Sequence, residues 1–170
     1  MIDVQANRDG SKIHRFSDST VKKLCDRYKD VSTVLVGGCF DLLHYGHLTF
    51  LERAKEKGQI LIVALEPDTT IEKNKKRKPI HSQMQRARIL SSLAIVDVVL
   101  LLPTFTNYDE YLHLVEMVKP TIIAVTEGDP RIHEKRKQAE RVGAKVAIVL
   151  PRLQGKSSSK ILKYENIFSD

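Results

Sequence analysis

The sequence predicts an α/β fold of three layers, with helices on both faces of a central parallel sheet of about five strands. Two observations carry this. Continuous apolar runs such as Ile60-Leu61-Ile62-Val63-Ala64-Leu65 read as strands buried on both faces, as in parallel sheets. Between such runs stand segments with apolar residues at helical spacing, and strands alternating with helices imply right-handed crossovers. The length of 170 residues suits one such domain, large enough to bury roughly 70% of its unfolded surface.

Each element has its own signals. Residues 1–16 are polar and read as irregular. Over 17–28, Val21, Leu24 and Cys25 recur at helical spacing behind Ser17 or Asp18 as cap. Residues 1–30 thus read as an N-terminal extension with a short helix, and 31–170 as the main domain. The first strand spans 33–36, and the helix after it ends near Gly58. The second strand spans 60–65. The basic stretch 72–79 lacks apolar periodicity and reads as a loop. Ser82 and Gln85 form a capping box for a helix carrying Ala87, Leu90 and Leu93. A third strand covers 96–102, closed by Pro103. Asn107 and Glu110 open a helix with the stripe Tyr111, Leu114, Val115 and Val118, and Pro120 ends it. The fourth strand covers 121–125, a turn follows at 127–130, and a charged helix at 134–142 ends at Gly143. The fifth strand covers 145–150, and a helix over 157–164 closes the chain.

Composition narrows the function. The formal charge of +7 points to an anionic partner. Cys25 and Cys39 form no CxxC and are too few for a disulfide scaffold, which fits a reducing cytoplasm. The first residues carry no apolar core of a secretory signal, and no apolar run approaches the ~20 residues needed to span a bilayer. A cytoplasmic protein without a membrane partner is the expectation.

The stretch VLVGGCFDLLHYGHLTFL holds the chemistry. A strand turns at Gly37-Gly38 and enters a helix whose first turn carries His44 and His47, three apart on one face. Free N–H groups and the helix dipole make such an N-terminus an anion site. In open parallel sheets the ligand crevice lies beyond the carboxyl ends of the strands, where these residues fall. A second group, Arg152, Gly155, Lys156, Ser157, Ser158, Ser159 and Lys160, also follows a strand and opens a helix, and can hold further phosphate oxygens. The basic loop with Lys73, Lys75, Lys76, Arg77 and Lys78 reads either as a solvated surface or as a lid over phosphates. Without interleaved aromatics it argues against nucleic acid, although a nucleotide- or RNA-binding module stands as the non-enzymatic alternative. Arg86 is placed to point back at the site, and the turn Glu127-Gly128-Asp129 to read a base or sugar hydroxyl. The remaining histidines lack ligand spacing, so no zinc site is read.

The string GCFDLLHYGH followed by FLERAKEKG resembles the cytidylyltransferase-like nucleotidyltransferases and their HxGH signature, over about residues 31–163. The resemblance implies a Rossmann-like fold and a homodimer. It places Gly38, Cys39, Phe40, Asp41, His44 and His47 at the nucleotide phosphates, with RLQGKSSSKI as the second signature. Two branches of the family share features with this chain. GCFDLLHxGH, Lys78-Pro79 and Gly128-Asp129 look like the heptose 1-phosphate adenylyltransferases. LPRLQGKSSSKI, and His81-Ser82 ahead of Arg86, are similar to glycerol-3-phosphate cytidylyltransferase. Glu127 replaces the usual glycine of the first branch, and Leu153 the threonine of the second.

The implied reaction is transfer of NMP from ATP or CTP to a sugar or polyol phosphate, a phosphorylated small-molecule acceptor, with release of pyrophosphate. A heptose 1-phosphate-like acceptor is favoured, and cytidylyl transfer to glycerol 3-phosphate is the alternative. His44, His47, Lys76 and Arg152 are the expected catalytic residues. Gly38, Cys39, Phe40, Asp41, Lys73, Arg86, Gly128, Asp129, Ser157, Ser158 and Ser159 are expected to bind the nucleotide together with His44, His47 and Arg152. Mg²⁺ is expected on the triphosphate itself, because the sequence has no carboxylate cluster to hold it.

Overall fold

The computed structural model describes residues 11–151. Among them, six strands form one parallel sheet in the order β1-β4-β3-β2-β5-β6, namely β1 (Ile13–Arg15), β2 (Thr33–Gly38), β3 (Ile60–Leu65), β4 (Val98–Leu101), β5 (Ile122–Thr126) and β6 (Lys145–Leu150). The helices are α1 (Asp18–Arg27), α2 (Tyr45–Lys55), α3 (Asp68–Lys75), α4 (Gln83–Ser91), α5 (Tyr108–Val118) and α6 (Ile132–Val142). The three-layer parallel architecture is the one expected, with a sixth strand added.

That strand is β1, inside the stretch expected to be irregular. Three residues give no periodicity to read; the strand exists through backbone pairing with β4, where Val99 N–H donates to Lys12 O at 2.7 Å and Phe16 N–H to Leu101 O at 2.9 Å. The second correction is α3, which occupies part of the basic stretch expected to be loop. Only Ile71 of its eight residues is buried, so no apolar stripe announces it. Both expected capping boxes form, at Ser82/Gln85 and Asn107/Glu110. The expected helix at 157–164 lies outside the described residues.

Alternation along each strand sorts the core onto two faces. Val34 and Val36 of β2 pack with Phe50, Leu51 and Ala54 of α2 and with Leu90 of α4. Leu35, Ile62 and Ala64 pack on the opposite face with Leu114 and Val115 of α5. The order reverses at β2, from which the chain builds outward through β3 and β4 on one side and then through β5 and β6 on the other. There the sheet also splits. β2 stays paired to β3 through Gly38↔Leu65, but its pairing to β5 ends at Leu35↔Ile123. The crevice of an open α/β sheet belongs at this switch point.

Candidate active site

The two glycines that end β2 serve different faces. Gly38 shares a face with Val36, and a Cβ there would stand 2.8 Å from the Phe40 ring. Its absence lets that ring fold back and bury itself, while the Phe40 backbone takes φ 46°, a left-handed value rare for a bulky residue. The Phe40 ring meets the His47 ring edge-on, with centroids 5.2 Å apart. His44 is the N-cap of α2, with extended backbone and no side-chain capping bond, and the first turn carries no acidic residue. His44 and His47 stack, with centroids 3.9 Å apart and 20° between planes. The expected pair is thus brought together at the positive end of a helix, beside the split in the sheet.

Burial, then the neighbouring His44 and the charge of Lys75, push the His47 pKa down to about 4, against a smaller opposing effect from the Leu42 backbone. Its Nδ1 is buried with no hydrogen-bond partner. Near neutral pH His47 is therefore a neutral imidazole that offers one N–H to an anion. The sign of the linkage follows. Between its unfolded value of 6.5 and about 4 the unfolded chain binds the proton and the folded chain does not. Stability is therefore fully present above that window and lost as pH falls through it, by up to about 3 kcal/mol. Urea unfolding of the free protein at pH 7 and pH 4.5 should show this loss, and His47→Asn should flatten it. An unchanged pH slope in the variant would refute the low pKa.

Asp41 does not face the crevice. It is 1% exposed, accepts from the N–H groups of Ile80 (2.9 Å) and His81 (3.3 Å), and lies 2.6 Å from Arg77 Nη1. Burial alone would raise its pKa, but the bonds from Arg77, His81 and Ile80 outweigh that and hold it below its usual value. Its work is to tie the segment between α3 and α4 to the HxGH loop. Arg86, expected at the nucleotide, is fully buried. Its guanidinium donates to the carbonyls of Cys39 (2.5 Å), Glu66 (2.9 Å) and His81 (3.1 Å) and to Asp68 Oδ1 (2.6 Å). In this structure Asp41 and Arg86 are supports behind the site.

Lys73 and Lys76 are exposed, and Lys76 caps α3 in the left-handed region. Lys75, named from the sequence as one of the basic-loop lysines but not among the expected site residues, is the cation whose charge acts on both His47 and Cys39. Only its position on α3 separates it from the other lysines of the stretch, and α3 was not legible. Gly128 has φ 72°, which suits glycine, and turns the chain at the end of β5. Asp129 behind it pairs with Lys135 at 2.7 Å and accepts from Arg131 N–H at 2.8 Å. Arg152, Ser157, Ser158 and Ser159 lie outside the described residues.

A cavity of about 280 Å³ opens at the split, on the face opposite the histidines, between the sheet and α5 and α6. Gly38 and Cys39 line it, so it and the HxGH loop meet at the end of β2. At its mouth the Tyr111 hydroxyl donates to Glu66 at 3.1 Å, and the Arg131 guanidinium lies 5.4 Å from the Tyr111 ring centre. Among the described residues no three His, Cys, Asp or Glu side chains converge as a metal site, and no helix is long and apolar enough to cross a membrane.

Comparison with known proteins agrees with this geometry. The chain is 37% identical over 143 residues to the FAD synthase of Pyrococcus abyssi, covering 81% of this chain and 95% of that one. It is 37% identical over 134 residues to the bifunctional protein HldE of a Nitratiruptor species, covering 76% of this chain but only 27% of that one. The chain thus spans about a quarter of the length of its HldE relatives. A lipopolysaccharide core biosynthesis protein of Thermoplasma volcanium superposes with a TM-score of 0.58 at 27% identity, over 74% of this chain and 99% of that one. A pantoate-beta-alanine ligase of Francisella tularensis shares the fold, with a TM-score of 0.64 at 16% identity, over 93% of this chain and 78% of that one. The family model described as cytidylyltransferase-like matches residues 35–163, from the middle of β2 to beyond β6. The chain belongs to the cytidylyltransferase-like family.

Proposed function

We propose that this chain is an adenylyltransferase that moves AMP from ATP to a phosphate monoester and releases pyrophosphate. The observation that carries it is the stacked His44–His47 pair at the N-terminus of α2, at the point where the sheet splits. ATP is favoured over CTP because the FAD synthase relatives, as their name states, make a dinucleotide whose second half is AMP.

An acceptor phosphate oxygen bonds to the α-phosphorus, the bond from that phosphorus to the bridging oxygen breaks, and pyrophosphate leaves with the electron pair. A monoester with second pKa about 6 is already mostly dianionic, so no general base is needed. Catalysis is then positioning and charge stabilisation. His44 and His47 donate N–H bonds to the phosphate oxygens as charge builds. Lys75, with Lys76, Lys73 and Arg152, balances the departing pyrophosphate, and Ser157–Ser159 hold its oxygens. The donor enters as its Mg²⁺ complex, with the ion on the triphosphate oxygens. Pyrophosphate release should be measured for ATP and CTP against heptose 1-phosphate, glycerol 3-phosphate and flavin mononucleotide. ATP should be used by preference; a preference for CTP would move the chain to cytidylyl transfer, and no release with any pair would overturn the proposal.

A further inference from the structure

A fixed carboxylate stands at the split, among the lining of the cavity that faces away from the histidines. Glu66 directly follows β3, and its N–H donates to the Gly38 carbonyl at 3.1 Å, so it sits against the glycine turn that leads into the HxGH loop. Arg86 holds its backbone carbonyl at 2.9 Å. Its side chain is held separately. The Tyr111 hydroxyl donates to Oε1 at 3.1 Å and lies 3.3 Å from Oε2, and the Thr70 hydroxyl donates to Oε2 at 3.1 Å. Both partners are uncharged, so they fix the carboxylate and leave its charge in place. Arg131 stacks on the Tyr111 ring, 5.4 Å from its centre, and makes no ion pair with Glu66 among the described residues. Two hydroxyl donors leave lone pairs on both oxygens, and when water leaves the crevice these need O–H or N–H groups from the ligand.

The position of Glu66 in its βαβ unit says which groups. In nucleotide-binding sheets of this kind the phosphates take the glycine turn and helix start after the first strand. A carboxylate at the end of the next strand takes the ribose hydroxyls. Here β2, α2 and β3 are that unit, with the histidine pair at the helix start and Glu66 at the end of β3. Room for a sugar lies beside it. Gly37 and Ala64 are register partners lining the cavity, Glu66 comes two residues after Ala64 on the same face, and a Cβ at Gly37 would meet no atom within 4 Å. Asp129, expected to read a sugar hydroxyl, is engaged elsewhere: Oδ1 accepts from Arg131 N–H and Oδ2 from Lys135. Charge agrees as well. The charge of Lys75 and the positive end of α2 act at the histidines, where phosphates are favoured, whereas a carboxylate repels phosphate and suits the uncharged sugar.

We propose that Glu66 is a specificity-determining residue that accepts from the two ribose hydroxyls of the donor nucleotide, and that Tyr111 positions it. The inference rests on the nucleotidyl-transfer reading but not on the base, because ATP and CTP carry the same diol.

The test is calorimetric binding to the full chain with Mg²⁺, of ATP against 2′,3′-dideoxy-ATP and of CTP against 2′,3′-dideoxy-CTP. Wild type should bind its preferred nucleotide about tenfold or more tightly than the dideoxy form, the usual worth of a hydrogen bond to a charged group. Glu66→Gln keeps the shape and the backbone bond to Arg86, and should close that gap to about threefold or less. It should do so by weakening the ribonucleotide alone; the dideoxy form should bind the variant at least as well as wild type, since a repelling charge has gone. Tyr111→Phe, which keeps the ring and drops the hydroxyl, should narrow the gap in the same direction, and decides alone should Glu66→Gln not fold. No gap in wild type overturns the inference, and so does a gap that survives Glu66→Gln. Equal weakening of both forms marks a structural role and overturns it too. A gap for CTP that closes in the variant, without ATP binding, supports the role of Glu66 and overturns adenylyl transfer.

Discussion

Replacing either His44 or His47 with alanine should lower the rate of pyrophosphate release from ATP by 10²–10³-fold, the usual effect of removing one donor from a preorganised oxyanion site. The two losses should not add. The rings stack at 3.9 Å, and His47 is held from its other side by Phe40, so each positions the other. A double variant should therefore be little worse than the poorer single one. The effect should fall on kcat, because the charge these groups meet is largest as the leaving group departs, and KM for ATP should change much less. Circular dichroism should show the sheet intact, since both side chains are partly exposed and neither forms the floor of the core. Retention of more than a tenth of the wild-type kcat in either single variant would remove these histidines from the chemistry.

What the sequence made legible follows physical lines. The strands β2 to β5 could be read because burial on both faces forces continuous apolar runs. β6 could be read because it too is an apolar run, although it is an edge strand with only Leu150 buried, and the helices after Ser82 and Asn107 because capping boxes are local. The histidine pair could be read because three-residue spacing at a helix start fixes two side chains on one face. β1 could not, since its evidence lies in the backbone of β4 some eighty residues away. α3 could not, since a helix resting on Ile71 alone has no stripe. Within the site, the sequence could locate charges near the crevice but not their direction. Asp41 and Arg86 turn away from it, while Lys75 exerts its charge on His47. The parity of Gly37 and Gly38 was present in the sequence, but separating their roles required knowing what stood above each face.

Arg86 is where these supports converge, and Arg86→Met should cost more stability than any other single change near the site. Its guanidinium joins the HxGH loop at Cys39, the end of β3 at Glu66, the start of α3 at Asp68 and the segment before α4 at His81. Methionine fills much of the same volume, so the loss is not a cavity effect. It leaves three carbonyls without their donor and Asp68 without its cation. Asp68 is 37% exposed and recovers water, so the cost lies mainly in the carbonyls left without a donor, at about 1–3 kcal/mol each, or about 3–5 kcal/mol together. For a chain of this length, each kcal/mol corresponds to about 2–4 °C, so the melting temperature should fall by about 10 °C or more. Arg86→Lys separates charge from shape. It restores a cation but, lacking the planar fork, cannot reach carbonyls on several sides at once, so only part of the stability should return. Because the Cys39 carbonyl leads directly into the strained Phe40 that braces His47, the lysine variant should fold yet lose kcat. A methionine variant that melts within about 3 °C of wild type would show that the four partners are satisfied without Arg86, and that the HxGH loop holds its shape on Phe40 and Asp41 alone.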